Sequence, residues 1–230
     1  MKTYLIDSVF FGAVVSLAAY EAGLLLKRRF RLALLNPLLI ATVCVMAVLT
    51  LFKVEYRHYN EGAKYISYLL TPATVCLAVP LYQQLALLRK NLKAVAGGIT
   101  AGVFASLVSV FVLAKLFSLT HEQYVTLLPK SITTAIGMGV SEELGGISTI
   151  TVAVIIVTGI LGNVIAESVC RIFRIEEPIA KGLALGTASH AIGTAKAMEL
   201  GEVEGAMSSL AIAVAGLMTV VGASLFASLM

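Results

Sequence analysis

Apolar residues along this chain come in long runs rather than in alternation. Stretches such as Leu34–Phe52 and Gly145–Cys170 are long enough, at about 1.5 Å per residue, to cross about 30 Å of hydrocarbon. A transmembrane β-barrel would show short alternating segments instead. The pattern predicts spanning helices over roughly Tyr4–Leu26, Leu34–Phe52, Tyr65–Leu88, Ala94–Phe117, Ile147–Cys170 and Val203–Met230. Two intervening segments are too interrupted for ordinary spans. Gln123–Leu144 contains Pro129-Lys130-Ser131 and Gly137-Met138-Gly139, and Ile179–Leu200 contains the run from Gly186 to Gly193. The expected fold is an all-α integral membrane protein with about six transmembrane helices plus two re-entrant hairpins. Residues 1–230 are expected to form one polytopic domain. Its parts are an N-terminal helix pair (1–60), a pair with a broken span (61–120) and two hairpin–helix units (121–174 and 175–230).

Composition agrees with this pattern. The chain is 59% hydrophobic and 13% charged, too little charge to keep a soluble surface wet. The net charge of +4 sits in short connectors, where it reports orientation rather than a nucleic-acid partner. Lys27, Arg28, Arg29 and Arg31 place the first connector inside, and Arg89, Lys90 and Lys93 place the third there. Arg171, Arg174 and Lys181 also fall inside if Gln123–Leu144 dips in and returns, so both termini are expected outside, in a membrane of the inner-membrane type. Met1–Leu26 has Asp7 near its start and its basic cluster after the apolar run, which reads as a retained first span rather than a cleaved signal. Cys44, Cys76 and Cys170 lie far apart in apolar runs and read as small hydrophobes. No metal or cofactor is expected.

An internal repeat supports the hairpins. Ala135-Ile136-Gly137 recurs as Ala191-Ile192-Gly193, and Glu143-Leu144-Gly145 recurs as Glu199-Leu200-Gly201, both 56 residues on. Ser131 and Thr133 then align with Thr187 and Ser189. If one span separates the copies, they enter from opposite faces, an inverted-topology repeat that places broken helices around a midplane site.

Irregular backbone at membrane depth is tolerated only inside protein or beside a wet cavity. Thr71-Pro72-Ala73-Thr74 interrupts the third span, and polar residues gather at this break and in the hairpins. The substrate-binding candidates are Thr71, Thr74, Lys130, Ser131, Thr133, Thr134, Thr187, Ser189, His190 and Thr194. Together with a helix end, such hydroxyls and one cation suit a short carboxylate. Each Ser or Thr could instead back-bond to its own helix. Lys130 is either a ligand cation or a residue snorkelling to the outer surface. His190 and Glu204 are the proton-coupling candidates; the plainer role for Glu204 is interaction with a helix N-terminus. Glu21 reads as a partner of Lys27 or Arg28. An enzyme is not expected: adjacent Ser189 and His190 point in different directions on a helix, and there is no Walker loop or paired metal-ligand spacing.

The stretches Leu70-Thr71-Pro72-Ala73-Thr74-Val75, Leu128-Pro129-Lys130-Ser131-Ile132-Thr133-Thr134, Gly186–Ala195 and Gly201–Ala211 resemble the LrgB/CidB family of bacterial membrane proteins over essentially the whole chain. That resemblance implies an antiholin-like role in controlling murein hydrolases and lysis, with a small LrgA/CidA-type membrane partner. It equally implies a link to carriers, since plastid relatives are glycolate/glycerate translocators and bacterial members are linked to pyruvate uptake. Glu142-Glu143 and Glu167 depart from the family pattern. Two functions follow as expectations. The first is a transporter of small monocarboxylates, with a site between the hairpins and a proton as a possible coupling ion. The second is a holin-like or antiholin-like assembly, in which Gly97-Gly98 and Gly102 would pack helices between copies. A homodimer or higher homo-oligomer, embedded in lipid, is expected in either case.

Overall fold

The computed structural model describes residues 8–30, 35–76 and 78–230. Every regular element among them is a helix. The chain forms two compact units, Met1–Cys76 and Leu77–Met230.

In the first unit, α1 (Phe11–Phe30), α2 (Pro37–Phe52), α3 (Tyr56–Ser67) and α4 (Leu70–Cys76) pack through glycines. A Cβ at Gly62 would lie 2.7 Å from the Gly12 amide, and one at Gly23 would lie 2.7 Å from the Pro37 carbonyl. Helix α2 starts where its sequence says it should. Asn36 accepts from the Leu38 amide at 2.8 Å, and Pro37 follows at the first helical position, where its missing N–H costs nothing. The stretch expected as a polar connector, Lys53–Lys64, is largely the helix α3. Its tyrosines alternate with charges, and Tyr59 Oη bonds Ser16 Oγ at 2.8 Å.

The second unit comprises α5 (Ala78–Gln83), α6 (Leu85–Lys90), α7 (Leu92–Leu116), α8 (His121–Leu127), α9 (Thr134–Glu143), α10 (Ser148–Ile172), α11 (Pro178–Leu200) and α12 (Glu202–Ala227). Helices α7, α10 and α12 have 25, 25 and 26 residues and are apolar enough to cross a membrane; at 1.5 Å rise each is about 38 Å long. These match three of the six expected spans. The other three are represented among the described residues by α1, whose last turn is basic, by the 16-residue α2 and by the short helices α4, α5 and α6.

Both interrupted segments fold back on themselves. Helix α8 opens with a capping box at Thr120 and Gln123 and stops before Pro129, whose ring and missing N–H do not continue a helix. After α9 the chain comes back against the end of α8: the Ile147 amide donates to Thr126 Oγ1 at 2.8 Å. Helix α11 turns at His190, where φ is 42° and ψ −137°. A Cβ at Gly193 would lie 2.5 Å from the Leu185 carbonyl eight residues earlier, about 12 Å away in a straight helix. The first arm, Pro178–Ser189, runs beside α12 in the same direction, with Gly182 on Glu204 and Gly186 on Ser208. The second arm runs back, placing Thr194 on Ser208 and Met198 on Gly205.

The two hairpins reach α10 from its opposite ends. Ser141 at the base of the first meets Thr151, and Lys196 in the second meets Glu167. Their tips converge near Ile155, whose side chain packs on Gly137 and whose carbonyl accepts from His190. Tyr124, Val125, Ile155, Ala197 and Met207 are sealed from solvent.

Two glycine substitutions test this packing against each other. Gly186→Ala places a Cβ 2.5 Å from the Ser208 carbonyl and is expected to destabilise by about 1–3 kcal/mol. Gly97→Ala meets nothing within 4 Å and is expected to be neutral or to stabilise by up to about 1 kcal/mol. Thermal melting of the two variants in detergent checks this; a reversed order contradicts the arm-to-α12 packing.

Candidate functional site

A cavity of about 740 Å³ runs between α7, the first arm of α11 and the tip of the first hairpin. Its apolar wall is made of small residues: Ala94, Gly98, Gly102 and Ala105 on α7, facing Leu183, Ala184 and Ala188 on α11. These glycines set the gap between the helices. A Cβ at Gly102 would lie 2.7 Å from Thr187 Oγ1, and one at Gly98 would lie 3.0 Å from Leu183. The small-residue stripe thus packs against the chain's own hairpin, while Gly97 faces open space.

Polar groups gather at the end away from Asn91 and Glu177. Lys130 and Ser131 come from the first hairpin, Ser106 and Ser109 from α7, and Thr187 from α11. Lys130 Nζ donates to Ser131 Oγ at 3.2 Å, and Ser131 Oγ lies 3.0 Å from Ser106 Oγ. Thr187 Oγ1 back-bonds to the Leu183 carbonyl at 2.7 Å, which leaves its lone pairs available as acceptors and its hydrogen able to turn toward a ligand. Among the described residues Lys130 makes no ion pair. Ser106 is 14 residues into α7, about 21 Å along its axis, so the polar end sits near mid-depth rather than at a surface. One ammonium with a ring of hydroxyls is chemistry for a small monoanion.

Of the candidates read from the sequence, Lys130, Ser131 and Thr187 line this cavity together. Thr133 and Thr134 are half-buried where α9 begins; Thr133 occupies the N-cap with no side-chain cap bond. Ser189, His190 and Thr194 are buried outside the cavity lining. The ring of His190 lies 3.0 Å from the Ile155 carbonyl, so Nε2 carries the proton and donates. Ser189 fills the notch at Gly162. Thr194 donates to the His190 carbonyl at 3.1 Å and shares a 2.7 Å bond with Ser208 Oγ. Glu204 is buried in the first turn of α12, its carboxylate beside Gly201. Thr71 and Thr74 belong to α4, and their side chains lie outside the described residues.

Three polar features went unread in the sequence. Ser106 and Ser109 are the two hydroxyls of α7 that line the cavity, and the period of Gly98, Gly102 and Ser106 is the signal that marks the face of Ser106. Thr126, Ser141 and Thr151 form a sealed cluster at the base of the first hairpin: Thr151 Oγ1 donates to the Thr126 carbonyl at 2.9 Å and lies 2.7 Å from Ser141 Oγ. Asn163 donates to the Ile192 carbonyl at 3.1 Å. The unusual acidic residues also find places. Glu142 and Glu143 are exposed at the mouth of the first hairpin. Glu167 lies 2.6 Å from Lys196, which also reaches Glu199 at 3.2 Å.

Residues 16–229 match the LrgB-like family. Similar proteins include the antiholin-like protein LrgB of Bacillus cereus (strain B4264) and that of Bacillus anthracis (strain CDC 684 / NRRL 3495). Each is 41% identical over 218 residues, which cover 94% of this chain and 95% of the relative. No solved structure matches.

The sealed cluster gives a stability test away from the cavity. Thr151→Val keeps the volume but strands the Thr126 carbonyl and Ser141 Oγ, and is expected to cost about 1–3 kcal/mol. Chemical or thermal unfolding in detergent measures it; an unchanged midpoint argues against the hairpin closure described above.

Proposed function

Because the chain belongs to the LrgB-like family, and because its cavity holds a lone cation among hydroxyls, we propose that it is a membrane transporter of small monocarboxylates of the glycolate, glycerate and pyruvate class. The observation that carries this reading is the placing of Lys130, Ser131, Ser106 and Thr187 at the inner end of a cavity between helices long enough to cross a membrane. A purely structural junction has little use for an ammonium there, since an ionisable group at membrane depth is costly and tends to mark a ligand pathway. The carboxylate is held by Lys130 and the hydroxyls; a 2-hydroxyl or 2-keto group bonds the remaining serine or threonine.

In this reading the protein lies in a bacterial inner membrane with about six spans, and the two hairpins are re-entrant halves of an inverted repeat entering from opposite faces. Support comes from the 56-residue sequence offset and from the approach of the hairpins to opposite ends of α10. Clustering of Arg171, Arg174 and Lys181 at one end, with Arg89, Lys90 and Lys93 close to the start of α7, supports a cytoplasmic assignment for that end, with both termini outside in this reading. A homodimer, and association with a small LrgA/CidA-type membrane protein, belong to the same proposal.

A second reading draws on the names of the relatives, which are called antiholin-like. In it the protein modulates lysis through a partner pore, and the cavity is incidental. Uptake of radiolabelled glycolate and pyruvate into proteoliposomes separates the two. Saturable uptake is expected, and Ser131→Ala with Thr187→Val should raise KM at least tenfold, each lost bond being worth about 1 kcal/mol. Folded protein that transports neither acid, with or without its partner, favours the lysis-regulating assembly.

A further inference from the structure

We propose that Lys130 is the coupling group of the cavity as well as its anion-binding group, holding one proton for each monoanion and giving it up when the anion leaves. This rests on the transport reading above.

The argument begins with what surrounds Lys130. Its neighbours along the cavity are hydroxyls, Ser131 at 3.2 Å and Ser106 beyond it, and no carboxylate among the described residues pairs with it. The elements packed around it do not supply one. Between Ala94 and Ala114, α7 carries no titratable residue; neither does α10 from Ser148 to Ala166, nor α12 from Gly205 to Ala227. On the first arm of α11, Glu177 sits at the opposite end of the cavity, ten residues and about 15 Å of helix from Thr187. Lys181 on that arm lines a separate surface cleft with Arg171 and Glu167. His190 is occupied with the Ile155 carbonyl and does not line the cavity. Within the first hairpin, Tyr124 Oη donates to the Phe226 carbonyl, while Glu122, Glu142 and Glu143 are exposed at its base.

The counter-ion for the ammonium is therefore the substrate itself. A bound monocarboxylate makes a neutral pair, which can cross between two facings of the site at little electrostatic cost. With the site empty, an unpaired ammonium at mid-depth is costly, and a lysine, unlike an arginine, can shed its proton. The proton on Nζ passes to water in the open cavity as the carboxylate leaves, and the neutral amine makes the return. One proton and one monoanion move together, with no net charge. A dicarboxylate brings a second charge that nothing in the cavity balances. The exchange of one bound anion for another needs no proton release at all.

The test uses full-length protein in proteoliposomes and three readings. In wild type, a pH gradient should accelerate net pyruvate uptake at least fivefold, while a potassium–valinomycin potential at constant pH leaves it unchanged. Lys130→Arg keeps the charge but cannot release a proton, so it should still support pyruvate–pyruvate exchange, with a shifted KM because the guanidinium binds the carboxylate differently, and lose at least nine-tenths of the gradient-driven uptake. Lys130→Gln should lose both. Electrogenic wild-type uptake overturns the proposal. So does gradient-driven uptake that survives in Lys130→Arg, or loss of exchange in folded Lys130→Arg, which would confine the residue to binding. Absence of both uptake and exchange in folded wild type instead overturns the transport reading, and the coupling role falls with it.

Discussion

Two helix hairpins that stop at the middle of a helix bundle leave backbone groups with no partner in their own helices, and the fold is organised around satisfying them. In hydrocarbon each such group costs several kcal/mol. Here the partners are side chains from the element between the hairpins or from the hairpins themselves. Thr151 takes up the Thr126 carbonyl, and Asn163 takes up the Ile192 carbonyl. Thr194 takes up that of His190. His190, in a backbone conformation that costs of order 1–3 kcal/mol for a residue with a Cβ, donates to the carbonyl of Ile155 in the first half of α10. No buried side-chain polar atom among the described residues is left without a partner. Helix α10 therefore serves as a common spine: Thr151 near its start holds the first hairpin, and Ile155 and Asn163 further along hold the second.

That arrangement makes room for the cavity. The first arm of α11 lies tight on α12 through Gly182 and Gly186, and it meets Gly98 and Gly102 of α7 through the side chains of Leu183 and Thr187, with the cavity beside these contacts. The same residue types thus do opposite jobs on the two sides of one arm. Against α12 they permit backbone contact, with carbonyls 2.4–2.5 Å from where a Cβ would be. Against α7 they admit side chains, Leu183 at Gly98 and Thr187 at Gly102, beside the cavity that Lys130, Ser131 and Thr187 line.

Much of this was legible in the sequence, and what was not has identifiable causes. Pro129 announced the first break because proline acts locally. The turn at His190 carries no proline or glycine at its centre; it is imposed by packing on Gly159, Gly162 and Gly193, contacts that no local rule encodes. The apolar runs marked α7, α10 and α12 correctly, since length and hydropathy suffice there. The segment around Pro72 looked like one interrupted span and is described as the short helices α4, α5 and α6, and the polar stretch after Lys53 proved helical because its apolar face finds Gly12 and Ser16 of α1. Of the hydroxyl candidates, only those on faces toward α7 reach the cavity. Ser106 was missed because a serine in an apolar helix usually bonds back to its own carbonyls; the four-residue period from Gly98 through Gly102 marks its face, and the contact with Ser131 gives that face its role.

The two hairpins also show why likeness of sequence need not mean likeness of role. They share their order of hydroxyls, glycines, acidic residue and following helix, and both tips arrive at the same stretch of α10. Yet the first presents Lys130 and Ser131 to the cavity, while the second turns His190 and Ser189 into the protein and offers only Thr187, one turn below its tip. The difference follows from how each chain reversal is built. Pro129 makes a wide turn from Leu128 to Thr133, with room for side chains to point outward. The reversal at His190 occupies a single strained residue, whose neighbours must face inward to hold it. A wide turn can present ligand groups; a tight one spends its polar groups on its own closure.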